Sequence, residues 1–76
     1  MITASTIGEA VRRARKDMGL RQDELAAAAG VGLRFLVELE RGKPTVQLGK
    51  ALLVLAAVGL DVQVIARQSP GPVSPP

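Results

Sequence analysis

Several residue types that carry enzyme chemistry are missing from this chain. The 76-residue sequence has no cysteine, histidine, tryptophan or tyrosine, and its one aromatic residue is Phe35. Disulfides, thiolate zinc sites, imidazole ligands and the usual Cys or Ser-His nucleophiles are thereby excluded. There is no glycine-rich phosphate loop and no set of carboxylates at metal-binding spacing. These absences predict a protein that is not an enzyme and that needs neither cofactor nor metal. Long apolar runs are missing too. The longest uncharged one, Ala51 to Leu60, is about half of the roughly 20 residues a spanning helix requires. The N-terminus shows no basic segment followed by an apolar stretch, because Arg12, Arg13, Arg15 and Lys16 lie inside an amphipathic pattern. The expectation is a cytoplasmic chain with no membrane partner.

What is present is apolar and basic. Apolar residues make up 47% of the chain, and with one aromatic the core must be built from Leu, Val, Ile and Ala. That composition favours helices packed on helices, since strands are usually richer in aromatic and β-branched residues. A chain of this size builds one core and often gains stability by oligomerising. Ten Lys and Arg against seven Asp and Glu give +3 and a pI near 10.2. A small basic domain points to an anionic partner, with nucleic acid first.

Glycines and prolines divide the chain. Thr6, with Glu9 three residues on, fits a capping box for a first helix over about 6–18. Ile7, Val11, Ala14 and Met18 form its apolar stripe, and Gly19 ends it. A second helix is predicted over about 22–29, with Asp23 and Glu24 in its first turn and Gly30 at its end. A third runs over about 33–41 and stops at Gly42. Thr45, after Pro44, caps a fourth over about 46–58, which Gly59 ends. From Leu60 to Arg67 the pattern alternates like a strand. Residues 1–67 are thus read as one domain. Residues 68–76, with four of the five prolines, are read as a disordered tail.

Residues 22–42 hold the main functional signal. Two short helices joined by Gly30-Val31-Gly32 fit a helix-turn-helix, whose second helix enters the DNA major groove. At 100° per residue, Leu36, Leu39 and Glu40 cluster on one side of that helix, and Arg34, Glu38 and Arg41 face the other way. Arg pairs bidentately with guanine and Glu accepts from cytosine; equally, Arg34 and Glu38 at i,i+4 make an ordinary solvated pair. Glu40 falls on the core side, where a carboxylate needs a partner. Arg15, at the margin of the first helix's stripe, is the economical one; the alternative is that Glu40 snorkels to solvent. Arg12, Arg13 and Lys16 are either part of an electrostatic footprint or a plain soluble face.

Gln22-Asp23-Glu24-Leu25-Ala26, Gly30-Val31 and Leu39-Glu40-Arg41-Gly42-Lys43 resemble the Cro/C1 (lambda-repressor-like, XRE) helix-turn-helix family over about 6–59. The run Arg34 to Val46, with the strand-like segment after the fourth helix, is similar to HipB-like antitoxins. The resemblance implies a four-to-five-helix, all-α domain with one C-terminal strand that pairs across a homodimer. It implies autorepression at a palindromic double-stranded DNA operator and binding of a HipA-like toxin kinase. It also implies roles by position. Gln22 matches a phosphate-contacting glutamine, Arg15 and Glu40 an internal ion pair, Leu33, Arg34 and Glu38 base-reading positions, and Arg41 and Lys43 backbone contacts. Three places depart from the family pattern. Arg21 stands where Thr or Ser usually caps, although an arginine there still reaches phosphate. Gly32 stands where Ser or Thr usually precedes the reading helix. Leu33 and Val37 are apolar where polar readers are common, so they meet thymine methyls or the rest of the fold.

The fourth helix carries its own signal. From Ala51 to Leu60 every residue is apolar or glycine, whereas a surface helix of a small monomer keeps one polar face. Both sides therefore need cover, and a bare apolar strand edge invites pairing. A two-fold partner meets both needs, with Leu60, Val62 and Val64 of each chain over the two fourth helices; a dimer made by the fourth helix alone is the other possibility. The readings that remain are an antitoxin and autorepressor, a stand-alone repressor, and an interaction module that no longer reads DNA.

Overall fold

The computed structural model describes residues 1–66, in four helices: α1 (Ala4–Asp17), α2 (Gln22–Ala29), α3 (Leu33–Glu40) and α4 (Leu48–Ala57). The tail expected over 68–76 lies outside the described residues, as does Arg67. α1 packs on α3, and α2 packs on both α3 and α4. The core lies between them and is aliphatic throughout: Val11, Leu25, Ala26, Leu36, Leu39, Ala51, Val54, Leu55 and Val58 are buried. Val11, Leu25, Leu36 and Val54 are the largest side chains with no exposure to speak of. Each contributes about 1.5–3 kcal/mol by leaving water.

Helix boundaries follow local chemistry and correct the sequence reading in places. α1 begins two residues before Thr6, because Thr3 is the better cap. Its hydroxyl accepts from the Thr6 amide at 3.2 Å, and the Thr6 hydroxyl accepts from the Thr3 amide at 3.3 Å. That reciprocal pair satisfies two amides that would otherwise have no helical partner. Thr6 is thus the inner member of the box, and Glu9 is not part of it. Met18 leaves the stripe: it is the C-cap, half exposed. α4 begins at Leu48 with Gln47 as cap, and no side chain bonds its first amides. Thr45 instead lies in the turn that follows Pro44.

All four helices close alike, with a left-handed glycine after the last turn and the next amide bonded back five residues. At Gly42 the requirement is double. Its φ is +85°, and a Cβ there would lie 2.6 Å from the Ser5 hydroxyl and 2.9 Å from Ser5 Cα. Gly8 marks the second close approach. A Cβ on it would run into the Leu39 carbonyl oxygen and sit 2.9 Å from that of Glu40. Only glycine lets α1 cross the end of α3 this tightly.

Residues 61–66 carry no strand among the described residues and are exposed. A strand is defined by a ladder, and no other segment among the described residues offers this one an edge. The outer face of α4 is bare as well: Leu48, Leu52 and Leu53 are exposed, Leu48 to 71%.

Candidate nucleic-acid interface

α2 and α3 meet at the turn Gly30-Val31-Gly32, with Gly30 left-handed and Gly32 the cap of α3. Leu36 and Leu39 anchor α3 in the core. The same helical period that buries them turns Arg34 outward, where its side chain is 91% exposed. Leu33 is half exposed at the start of the helix, and Val37 is partly buried at the margin of that face. Gly32 is exposed with open space around its Cα, so backbone can come close there.

Arg34 and Glu38 are close, and Lys43 joins them. Glu38 Oε2 lies 3.6 Å from Arg34 Nε and 3.3 Å from Lys43 Nζ. Both contacts are at the surface, and surface pairs contribute only about 0–1 kcal/mol. A phosphate or a guanine edge can therefore replace Glu38 as partner to either cation at little expense. Lys43 reaches Glu38 because Gly42 reverses the chain at the end of α3. The spacing of five residues gives no helical-face signal, and sequence reasoning missed it.

Beneath this face lies the most closely bonded polar junction among the described residues. Arg15 Nε donates to Glu40 Oε2 at 2.7 Å and Arg15 Nη2 to Oε1 at 3.0 Å, a bidentate pair with side chains only 10% and 4% exposed. Arg15 Nη1 donates to the Leu20 carbonyl at 2.8 Å, and Gln22 Nε2 donates to Glu40 Oε1 at 3.1 Å. The Glu40 carboxylate thus ties α3 to α1 and to the first residue of α2, and Arg15 ties the same junction to the α1–α2 turn. The hydrogen bonds to Glu40, ahead of its charge, hold the Arg15 guanidinium above its ordinary pKa despite burial. Among the described residues no buried side-chain polar atom lacks a partner. Such a junction is rigid, and it fixes the angle at which α3 is presented. The bond from Gln22 to Glu40 turns that amide toward the junction. Sequence gave no sign of it, since residues 22 and 40 lie on different helices.

Arg21, a candidate phosphate contact, is engaged elsewhere. Its guanidinium donates to Asp23 Oδ1 at 3.0 Å and Oδ2 at 3.3 Å, and its amide donates to Glu24 Oε1 at 2.8 Å. The hydrogen bond with Asp23 raises the Arg21 pKa and lowers that of Asp23. Glu24 thus satisfies the Arg21 amide, while no side chain takes the place of the missing Thr or Ser on the first-turn amides of α2. Lys50, on α4, stands 5.9 Å from the centre of the Phe35 ring, a cation–π contact away from the outward face.

A tight two-helix turn with a rigid base and a charged outward face defines a helix-turn-helix domain. The family profile described as Helix-turn-helix matches residues 11–65, and the chain belongs to this family, of the Cro/C1 (XRE) type. It is 56% identical over 64 residues, 84% of either chain, to the HTH-type transcriptional regulator y4mF of Sinorhizobium fredii. Two solved structures share the fold at 18% identity, each covering 90% of this chain and 96% of its own. They are the HipB-O4 20mer complex, with a TM-score of 0.77, and a structure described as MDT Protein, at 0.78.

Proposed function

We propose that this protein is a homodimeric, sequence-specific DNA-binding repressor, and that it serves as a HipB-like antitoxin that represses its own operon and neutralises a HipA-like kinase. The observation that carries the DNA reading is the outward face of α3, held at a fixed angle by the Arg15–Glu40–Gln22 junction. Arg34 and Glu38 are its base readers, with Leu33 and Val37 against thymine methyls. Arg41, Lys43 and the exposed backbone at Gly32 meet the phosphates; Gln22 does so only by turning from Glu40, and Arg21 only by leaving Asp23. The mechanism is occupancy of an operator, with no bond made or broken, so no catalytic group, cofactor or metal is called for. The site of action is the nucleoid.

The dimer reading is supported by the bare apolar face of α4 and by the exposed residues 61–66, which have no strand partner among the described residues. Leu60, Val62 and Val64 of two copies pair antiparallel over the two fourth helices. A two-fold contact of this kind sets two copies of α3 about 34 Å apart, one helical turn of DNA. The antitoxin reading is supported by the run from Arg34 to Val46 and by the shared fold with HipB. Selection from a random duplex library tests the whole. The purified protein should enrich an inverted repeat and bind it as two protomers per duplex, and the native complex should contain a kinase in equal amount. Enrichment without a co-purifying protein would leave the stand-alone repressor. A partner without any enriched duplex would leave the interaction module.

A further inference from the structure

We infer that the groove between α1 and α3 seats one phosphate of the DNA backbone, gripped by Arg12 from α1 and Arg41 from the end of α3. This rests on the DNA-binding reading and adds to it a contact residue, Arg12, on a helix outside the helix-turn-helix.

The groove follows from the crossing at Gly8. Because α1 there touches the carbonyls of Leu39 and Glu40, the next turn of α1 brings Arg12 opposite the end of α3. A groove of about 370 Å³ results, lined by Arg12, Arg15, Gln22, Val37, Glu40 and Arg41. Its floor is neutral: Arg15 and Glu40 cancel, and Gln22 is bonded to Glu40. Its rims are not. Arg12 and Arg41 are exposed, and neither has an ion pair or a side-chain hydrogen bond among the described residues. Glu9, one turn before Arg12, lines the neighbouring depression on α1 and does not come within ion-pair distance of it. The groove therefore offers two uncompensated guanidinium groups over a floor already satisfied.

Two further features fit a phosphate of duplex DNA. Arg41 lies seven residues from Arg34, only about 20° away around the helix at 100° per residue, so the groove opens beside the outward face. With α3 in the major groove, a groove beside its outward face borders the phosphate strand that flanks the bases it reads. The start of α2, by contrast, holds Asp23 and Glu24 beside an Arg21 already engaged with Asp23. Available positive charge is thus across the groove from that helix end. Guanidinium forks match phosphate oxygens bidentately.

The test measures binding by fluorescence anisotropy between 50 and 200 mM NaCl, on the library-selected duplex and on a random one. Arg12→Gln and Arg41→Gln should each lower the slope of log affinity against log salt by about 0.9, on both duplexes alike. Arg13→Gln, adjacent but outside the groove, should lower it by less than half as much, and all three should melt as the parent does. On duplexes carrying one methylphosphonate, a single linkage per half-site should weaken the parent protein and weaken the Arg12→Gln variant clearly less, since only Arg41 still reaches that phosphate there. Equal slopes for Arg12→Gln and Arg13→Gln, or no linkage whose effect is reduced in Arg12→Gln, would overturn the phosphate seat while leaving DNA binding intact. Failure of the parent to bind any duplex would instead remove the DNA-binding reading and the seat with it.

Discussion

The two ends of this small domain solve the burial problem in opposite ways. Around Glu40, charged groups are drawn inside and each polar atom is matched within the chain: Arg15, the Leu20 carbonyl and Gln22 complete the set. Around α4, apolar groups are left outside: Leu48, Leu52 and Leu53 face water, and Val62, Val64 and Ile65 follow them. The first region is finished by intramolecular contacts, while the second lacks a partner. A buried ion pair contributes little net stability compared with an apolar replacement, but it specifies one arrangement of the helices around it. An exposed apolar face specifies nothing until a second surface covers it. The comparison separates a part that holds α3 at a fixed angle from a part that brings two such helices together.

The largest effect is expected on the open side. Leu52→Asp should leave the monomer folded, since Leu52 is already exposed. It should weaken the dimer by about 3–6 kcal/mol, from the lost burial of the exposed part of a leucine on each protomer together with the cost of desolvating a carboxylate in its place. Sedimentation across a concentration series would measure this, and a variant that stays a tight dimer would place the contact elsewhere. Truncation after Gly59 separates the two parts of that surface: a truncated chain that keeps its dimer would assign the whole contact to α4. On the closed side, Glu40→Ala strands Arg15 in a buried site and should destabilise the fold by about 3–5 kcal/mol in urea denaturation. The double change Arg15→Met with Glu40→Leu should recover much of that. Recovery of stability without recovery of DNA affinity would sharpen the contrast, because the junction would then matter for the angle of α3 and not for holding the chain together.

How much of this is legible in the sequence differs between the same two regions. α2 can be read to the residue, because Asp23, Glu24 and Gly30 mark both its ends. The inward phase of Glu40 can be read from helical period, and so can the absence of a polar face on α4. Contacts between elements cannot. Gly8 looks like an ordinary weak spot in a helix until α3 is laid across it. Gln22 looks like a free amide until Glu40 arrives from eighteen residues away. Lys43 and Glu38 share no helical face, because Gly42 reverses the chain between them. Where several residues compete for one local role, sequence also chooses poorly. Thr3, Thr6 and Glu9 all offer box chemistry, and the outermost pair wins by satisfying two amides with two hydroxyls. Thr45 loses the start of α4 because the turn after Pro44 runs past it. The segment 61–66 has strand alternation and no ladder, since a ladder there needs another edge.

The smallest predicted effect lies at the start of α2. Asp23 titrates below its ordinary value because Arg21 donates to its ionised form. Its contribution is therefore complete above the unfolded value of about 3.9 and fades as the pH falls through the lower folded value. Asp23→Asn should differ from the parent by a constant amount above about pH 5, with the two curves converging in more acidic solution. Thermal melting from pH 2 to 7 would show it. A gap that widens on acidification would mean that Arg21 is not the partner.

The most direct test concerns what the closed region presents. Arg34→Ala and Lys43→Ala are compared on the selected duplex and on a random duplex by anisotropy titration. Arg34→Ala should weaken the selected duplex by about 1–3 kcal/mol and leave the random one nearly unchanged, whereas Lys43→Ala should weaken both alike and lower the salt slope by about one. Equal losses on both duplexes for Arg34→Ala would contradict base reading by the outward face of α3.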